Sequence, residues 1–220
     1  MVTIPYPGTS REGPASQDVR DSRERYWTRL REPDTLVARD IALIRTLPRQ
    51  TPVLDVGCGN GGFVAACILH GIDAMGAEAF DASAAVARGH GIPVVQAAGE
   101  HLPVASQAFD VVRLKEVLEH VQRPLDLARE MRRALRPGGT FLSYVPTQWS
   151  QLYPFPVNFY DDYTHVRAFS RVGLWRLLED AGFTRIDIEG YTPSLRSWQR
   201  PIAGVASRVF PFLWRAVASY

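Results

Sequence analysis

The sequence predicts an α/β protein built on a doubly wound, mainly parallel sheet. Three observations carry that expectation. Between about residues 50 and 190, short apolar runs of strand length alternate with amphipathic helical patterns, the sequence signature of strands joined by crossover helices. The stretch Val53-Leu54-Asp55-Val56-Gly57-Cys58-Gly59-Asn60-Gly61-Gly62-Phe63 reads as an apolar strand, a glycine-rich turn and the start of an apolar helix running to about Leu69. The chain has 220 residues, 46% of them hydrophobic and 22% charged, which suits one domain with a full core.

Composition narrows the function classes. A formal charge of +2 is too small to argue for nucleic acid. Lys115 is the only lysine, and the arginines are scattered among acids rather than gathered in a patch. The two cysteines, Cys58 and Cys67, have no metal-ligand spacing, so no metal site is expected. They read as free thiols in a reducing compartment. No apolar run suits secretion or approaches the ~20 residues of a membrane span, and a cytoplasmic protein is expected.

Taken in order, residues 1–19 are rich in Pro, Gly, Ser and charge and read as a flexible tail. A helical pattern from Asp21 to Leu30 carries Tyr26 and Trp27, and a second helix from Pro33 to Pro48 carries Leu36, Val37, Ile41 and Ile44 on one face. The glycine turn follows. Glycines there allow positive φ and close approach of a ligand, and the helix that begins at the turn presents bare N–H groups. Gly57, Gly59 and Gly62 satisfy the dinucleotide spacing. Asp55, two residues before Gly57, argues against pyrophosphate and for a ligand with an ammonium group. S-adenosylmethionine has that ammonium, a sulfonium and no phosphate.

Ile72 to Glu78 reads as the second strand, with Glu78 at its end where a carboxylate can accept hydrogen bonds from ribose hydroxyls. Asp81 is placed to cap the next helix, Ile92–Gln96 is the third strand, and Phe109–Leu114 the fourth. Lys115–Val121 is expected to begin a helix, and Pro124–Leu135 to form one. Arg136-Pro137-Gly138-Gly139 is a turn before a fifth strand, Thr140–Val145. The aromatic-rich stretch Pro146–Ala168 has no clean periodicity and suits a lid over the crevice. Ser170 caps a helix that stops at Gly182, and Phe183–Gly190 is the sixth strand.

The motifs V-L-D-V-G-C-G-x-G at 53–61, F-D-V-V-x-x-x-E-V-L-E-H-V at 109–121 and L-R-P-G-G-T-F at 135–141, with the acid Glu78 between the first two, appear in one chain in this order. In them the chain resembles the class I S-adenosylmethionine-dependent methyltransferases, over roughly residues 50 to 190. The resemblance implies a Rossmann-like methyltransferase fold. It also implies a cofactor set of Asp55, Gly57, Cys58, Gly59, Asn60 and Gly61 in the turn, Glu78 and Ala79 at the ribose and adenine, Gly99 and Glu100 at the ring edge, and Leu114 and Lys115 at the methionine end. Ala98 stands where the family typically has an aspartate. Thr164-His165-Val166-Arg167-Ala168-Phe169-Ser170 looks like a segment of small-molecule O-methyltransferases. It makes His165, with His120, the candidate base for a hydroxyl acceptor, and Glu119 a neighbour of the same acceptor.

The family usually ends in a seventh, antiparallel strand, and no clear one is legible here beyond a short stretch at Ala216–Ser219. Residues 191–220 are expected to form a helical extension with Ile202, Val205, Val209, Phe210 and Leu213 on one stripe. Such a helix packs on the sheet edge, closes as a lid, or makes weak contact with a membrane surface through Trp198 and Trp214, the first being favoured over the last. The domain expectation is therefore a tail over 1–19, a cofactor-binding methyltransferase domain over 20–190 and the extension over 191–220. The expected reaction is methyl transfer to a small-molecule hydroxyl. A non-catalytic cofactor-binding scaffold and, further off, a dinucleotide-dependent oxidoreductase are the rivals.

Overall fold

A computed structural model describes residues 38–152, 158–191 and 213–220. Helix α1 (Ala38–Thr46) precedes a regular alternation: β1 (Pro52–Val56), α2 (Gly62–Leu69), β2 (Asp73–Glu78), α3 (Asp81–Gly89), β3 (Val94–Gln96), β4 (Phe109–Lys115), α4 (Pro124–Ala134), β5 (Leu135–Pro146), α5 (Arg171–Asp180), β6 (Arg185–Tyr191) and β7 (Leu213–Ser219). One seven-stranded sheet runs in the order β3-β2-β1-β4-β5-β7-β6. The first five strands pair in parallel, and β7 lies antiparallel between β5 and β6. The chain reverses direction across the sheet between β1 and β4, which puts a ligand crevice at their carboxyl ends.

The strands are short and apolar because both faces are covered. Leu54, Val112, Leu114, Phe141 and Val145 are fully buried together with Leu127 and Met131 of α4 and Leu174 and Leu178 of α5. On the other face, Val53 and Val111 meet Phe63, Val64 and Cys67 of α2 and Ile44 of α1. At about 25 cal/mol per Å² of apolar area, each such side chain contributes roughly 1.5–3 kcal/mol. The helix expected over Pro124–Leu135 is α4, and its buried set (Leu127, Ala128, Met131, Ala134) forms one stripe.

Several expectations need correction. Residues 116–123 form no helix: they turn, with Glu116 at φ 54°. The Glu116 amide bonds Tyr144 O, which holds the start of the turn to β5. Asp81 sits inside the first turn of α3 rather than capping it; the cap position is Phe80, with no side-chain cap bond. The Arg136–Gly139 turn is an irregularity within β5, where the register against β4 jumps between Phe109↔Leu135 and Val111↔Thr140.

The largest correction is the seventh strand. Leu213–Ser219 pairs along its whole length with β5 and β6, so the end of the chain is not a helical extension. Trp214 is 8% exposed and its indole N–H donates to Phe169 O at 2.9 Å. It is therefore a core residue and not a membrane anchor. Among the described residues no helix is long and apolar enough to cross a membrane. The tail over 1–19, Tyr26 and Trp27, Trp198 and the stripe from Ile202 to Phe210 lie outside the described residues.

Candidate active site

The glycine turn links β1 to α2. Gly57, Gly59 and Gly61 have φ of 71°, 56° and 83°, a left-handed backbone that strains any residue with a Cβ. The space is equally restrictive, since a Cβ on Gly57 would run into the side chain of Val117 in the turn after β4. The β4 turn therefore lies directly against the glycine turn. Cys58 points its Sγ at the face of Gly76 on β2 and is 3% exposed. Only its backbone is placed to meet a ligand. Both cysteines are free, as expected, and burial pushes the Cys67 thiol up to about 12, with Asp55 adding to the shift. The Asn60 amide oxygen is buried with no hydrogen-bond partner.

Asp55 has a partner that the sequence reading did not supply. It is opposite Arg113 in the β1–β4 register, and its Oδ1 accepts from Arg113 Nη1 at 2.6 Å. The same guanidinium forks onto Asp40 of α1, Nε to Oδ1 at 3.2 Å and Nη2 to Oδ2 at 3.1 Å, and lies over the Phe63 ring at 4.2 Å. All three charged side chains are buried. Burial alone would lower the Arg113 pKa, but Asp55 and then Asp40 overcome it and raise it. Asp55 is thus part of a buried triad, not a free carboxylate awaiting an ammonium. Two acids share this one arginine, and acids at this end of β1 favour a cationic ligand.

Glu78, 5% exposed, ends β2 as expected and reaches back across the glycine turn. Its Oε2 accepts from Gly59 N at 2.8 Å and its Oε1 from Phe80 N at 2.9 Å. Burial pushes its pKa up, and these backbone donors partly offset that. Ala79 follows it in the β2–α3 loop. Gly99 serves packing: a Cβ there would meet Leu127 and Val56, so its smallness admits α4 to the sheet. Ala98 is exposed and Glu100 half-buried. Glu130 and Arg133 of α4 hold the following loop through Leu102 N, Leu102 O and Val104 O. Leu114 is fully buried and Lys115 half-buried at the end of β4.

Beyond the end of β4, two loops bring His120 and His165 together, with ring centroids 4.7 Å apart. The Glu119 carbonyl binds the loops to each other by accepting from Val166 N at 2.7 Å. Each imidazole is fixed by its Nδ1. His165 Nδ1 lies 2.6 Å from Phe159 O; a carbonyl only accepts, so Nδ1 carries the proton and Nε2 the lone pair. Thr164 gives its hydroxyl hydrogen to Asp162 Oδ1 at 2.6 Å and therefore accepts from His120 Nδ1 at 2.8 Å, which fixes the same tautomer there. Phe159 stacks on His165 at 4.6 Å. Glu119 is 0% exposed, and neither of its carboxyl oxygens has a hydrogen-bond partner. Burial raises its pKa well above the ordinary value and the neighbouring Glu116 adds to that, while its own backbone amide draws it down somewhat.

The sequence reading missed Asp40, Arg113, Asp162 and Thr164. Arg113 carried a signal, as an arginine near the end of the strand run F-D-V-V-R-L, flanked by apolar residues, needs an acid partner when buried.

The family profile described as "Methyltransferase domain" matches residues 17–188. The chain is 28% identical over 170 residues to the ubiquinone biosynthesis O-methyltransferase of Roseobacter denitrificans, covering 69% of this chain and 67% of that one. It is 38% identical over 126 residues to an uncharacterized methyltransferase of Mycobacterium sp. (strain KMS), and the match spans 55% of this chain and 50% of that relative. Among solved structures, a SAM-dependent methyltransferase from Archaeoglobus fulgidus superposes with a TM-score of 0.65 at 20% identity, covering 83% and 93% of the two chains. Phosphoethanolamine N-methyltransferase 2 of Haemonchus contortus, in complex with S-adenosyl-L-methionine, gives 0.61 at 18% identity over 82% and 52%. At these identities the solved structures show a shared fold.

Proposed function

We propose a methyl transfer onto oxygen for this chain. It belongs to the class I S-adenosylmethionine-dependent methyltransferases, and its cofactor is S-adenosylmethionine. The acceptor in this reading is a small molecule bearing a hydroxyl. The observation that carries it is the His120–His165 pair: the rings lie 4.7 Å apart with both Nδ1 atoms committed, and His120 belongs to the turn whose Val117 touches Gly57. The similarity to a ubiquinone biosynthesis O-methyltransferase points the same way.

Three features support the fit of the cofactor. The positive-φ glycines open a cradle that a Cβ would close. The orphaned Asn60 amide oxygen needs a donor. The two acids Asp40 and Asp55 on the one Arg113 guanidinium suit a ligand with cationic groups. The backbone of Gly57, Cys58, Gly59 and Gly61 would hold the methionine portion, with Asn60, Leu114 and Lys115 around it. Glu78 would accept from the ribose hydroxyls, and Ala79, Gly99 and Glu100 would border the adenine. When bound, the cofactor supplies an electrophilic methyl group on sulfur. The chain's part is to align the acceptor oxygen, exclude water through the described residues 158–168, and take the hydroxyl proton at Nε2 of His165 or His120. The path from Asp162 through Thr164 to His120 Nδ1 would steady the imidazolium that forms.

Calorimetry with S-adenosylhomocysteine and NADH, followed by a mass-spectrometric screen of phenols and alcohols, tests this. Binding of the first ligand alone, weakened about tenfold or more by Glu78→Ala, and a product heavier by one methylene are expected. Binding of NADH in place of S-adenosylhomocysteine, or methylation only of amines, would overturn the reading.

A further inference from the structure

We propose that Arg113 is a positioning residue for the cofactor: its guanidinium clamps both ends of the glycine turn, and Asp40 carries that clamp to helix α1. The inference rests on the cofactor placement given above and not on the acceptor.

The first observation is what one guanidinium touches. The turn leaves β1 after Val56 and enters α2 at Gly62. On the strand side, Asp55 Oδ1 accepts from Arg113 Nη1 at 2.6 Å. On the helix side, the Phe63 ring lies against the face of the same guanidinium, its centroid 4.2 Å from Cζ. A planar guanidinium donates in its plane and stacks on its face at once, which an ammonium cannot do. Asp55 stands two residues before Gly57 and Phe63 two residues after Gly61, so the two anchors bracket the turn closely.

The second observation is where the clamp is held from. Asp40, in the first turn of α1, accepts from the other two nitrogens, Nε at 3.2 Å and Nη2 at 3.1 Å. Ile44, one helical turn later, belongs to the same apolar cluster as Phe63. Helix α1 therefore reaches the glycine turn twice, through charge and through packing. Arg113, Asp40, Asp55 and Phe63 are all buried, so water does not compete for the donors or for the ring face. Arg113 stands at a position that the F-D-V-V-x-x-x-E motif leaves open, so the clamp is this chain's own.

The third observation is why this turn needs one. Gly57, Gly59 and Gly61 all hold positive φ, and glycine loses more freedom on ordering than any other residue. A ligand that has to order the turn itself binds more weakly, and ends fixed beforehand lower that cost. The Gly57 amide donates to Ala77 O at 2.8 Å, Gly59 to Glu78 Oε2 at 2.8 Å and Gly61 to Cys58 O at 2.9 Å. These three bonds make the order of the turn measurable by amide exchange.

Hydrogen–deuterium exchange of the full chain without ligand, followed by calorimetry with S-adenosylhomocysteine, tests the clamp. Arg113→Lys keeps the charge but cannot hold both acids and cover the ring. Its exchange over residues 57–63 should quicken at least about fivefold more than over β7, residues 213–219. Its affinity for S-adenosylhomocysteine should fall about tenfold. Phe63→Leu keeps both ion pairs and a buried apolar side chain, and should show the same pattern at about threefold in each readout. Exchange that quickens equally in both segments would mean that Arg113 serves overall stability alone, and unchanged exchange over 57–63 in both variants would mean that the turn does not depend on it; either result overturns the proposal. A loosened turn with undiminished affinity overturns its part in cofactor binding. Failure of the unaltered chain to bind S-adenosylhomocysteine counts against the cofactor placement alone, because exchange is read without ligand.

Discussion

Two buried acids, one at the end of β1 and one in the turn after its neighbour β4, are treated in opposite ways. Asp55 at the end of β1 is 1% exposed and Glu119 beyond β4 is 0% exposed. Asp55 shares the Arg113 guanidinium with Asp40, and each of its three nitrogens donates to a carboxylate. Neither Glu119 carboxyl oxygen has a hydrogen-bond partner, and no ion pair to it forms among the described residues. The first arrangement ties α1 to the first two strands of the switch point. The second leaves a buried carboxyl whose pKa burial raises well above the ordinary value, in the turn where the acceptor is proposed to bind, and perturbed groups of that kind gather at functional sites.

The sharpest way to break the contrast is at Arg113. Replacement by Met leaves two buried carboxylates facing each other, and breaking a buried pair in this way costs about 3–5 kcal/mol. Urea unfolding should show that loss as a lower midpoint at unchanged slope. The reverse holds at Glu119. Glu119→Met keeps the volume and removes an uncompensated carboxyl, so stability should rise by about 1 kcal/mol while methyl transfer falls. A variant that gains stability and loses turnover separates the two acids by purpose. Equal destabilisation by both substitutions would erase the distinction.

How much of this the sequence disclosed follows from where the information lies. The parallel half of the sheet was legible because local signals agree there: apolar strands, glycine at positions of positive φ, and the strong period of α4. The last strand was not, because its pattern is inverted. Ala216 and Ala218 face the core while Arg215 and Val217 are half-buried, so the small residues are inside and alanine's weak strand preference hides the element. Its position depends on β5 and β6, which are distant in sequence. The pairing of β1 with β4 likewise decides the fate of Asp55, since the register sets Arg113 opposite it. The turn at 116–123 looked helical from E-V-L-E-H-V. Contact of Val117 with Gly57 and of the Glu116 amide with Tyr144 O holds it otherwise, and tertiary context of this kind overrides local propensity. His120 and His165 were both singled out, but the support of Asp162 and Thr164 is a product of folding.

Glu78 lies between the two extremes and gives the smallest and most graded effect. Its carboxylate is buried like Glu119, yet two backbone N–H groups answer it. Burial wins, and its pKa in the folded chain is raised above the ordinary 4.5. The sign follows directly. Between 4.5 and the raised value the folded chain binds more proton than the unfolded one, so stability falls as pH rises through that window. The contribution is fully present below the unfolded pKa and lost above the folded one. Glu78→Gln cannot ionise, so urea midpoints measured from pH 4 upward should fall less steeply than in the wild type. Saturating S-adenosylhomocysteine should flatten the wild-type slope too, because ribose donors stabilise the ionised form and draw the folded pKa back down. A slope that the ligand leaves untouched would mean that Glu78 serves the glycine turn alone, through Gly59, and that the ribose is held elsewhere.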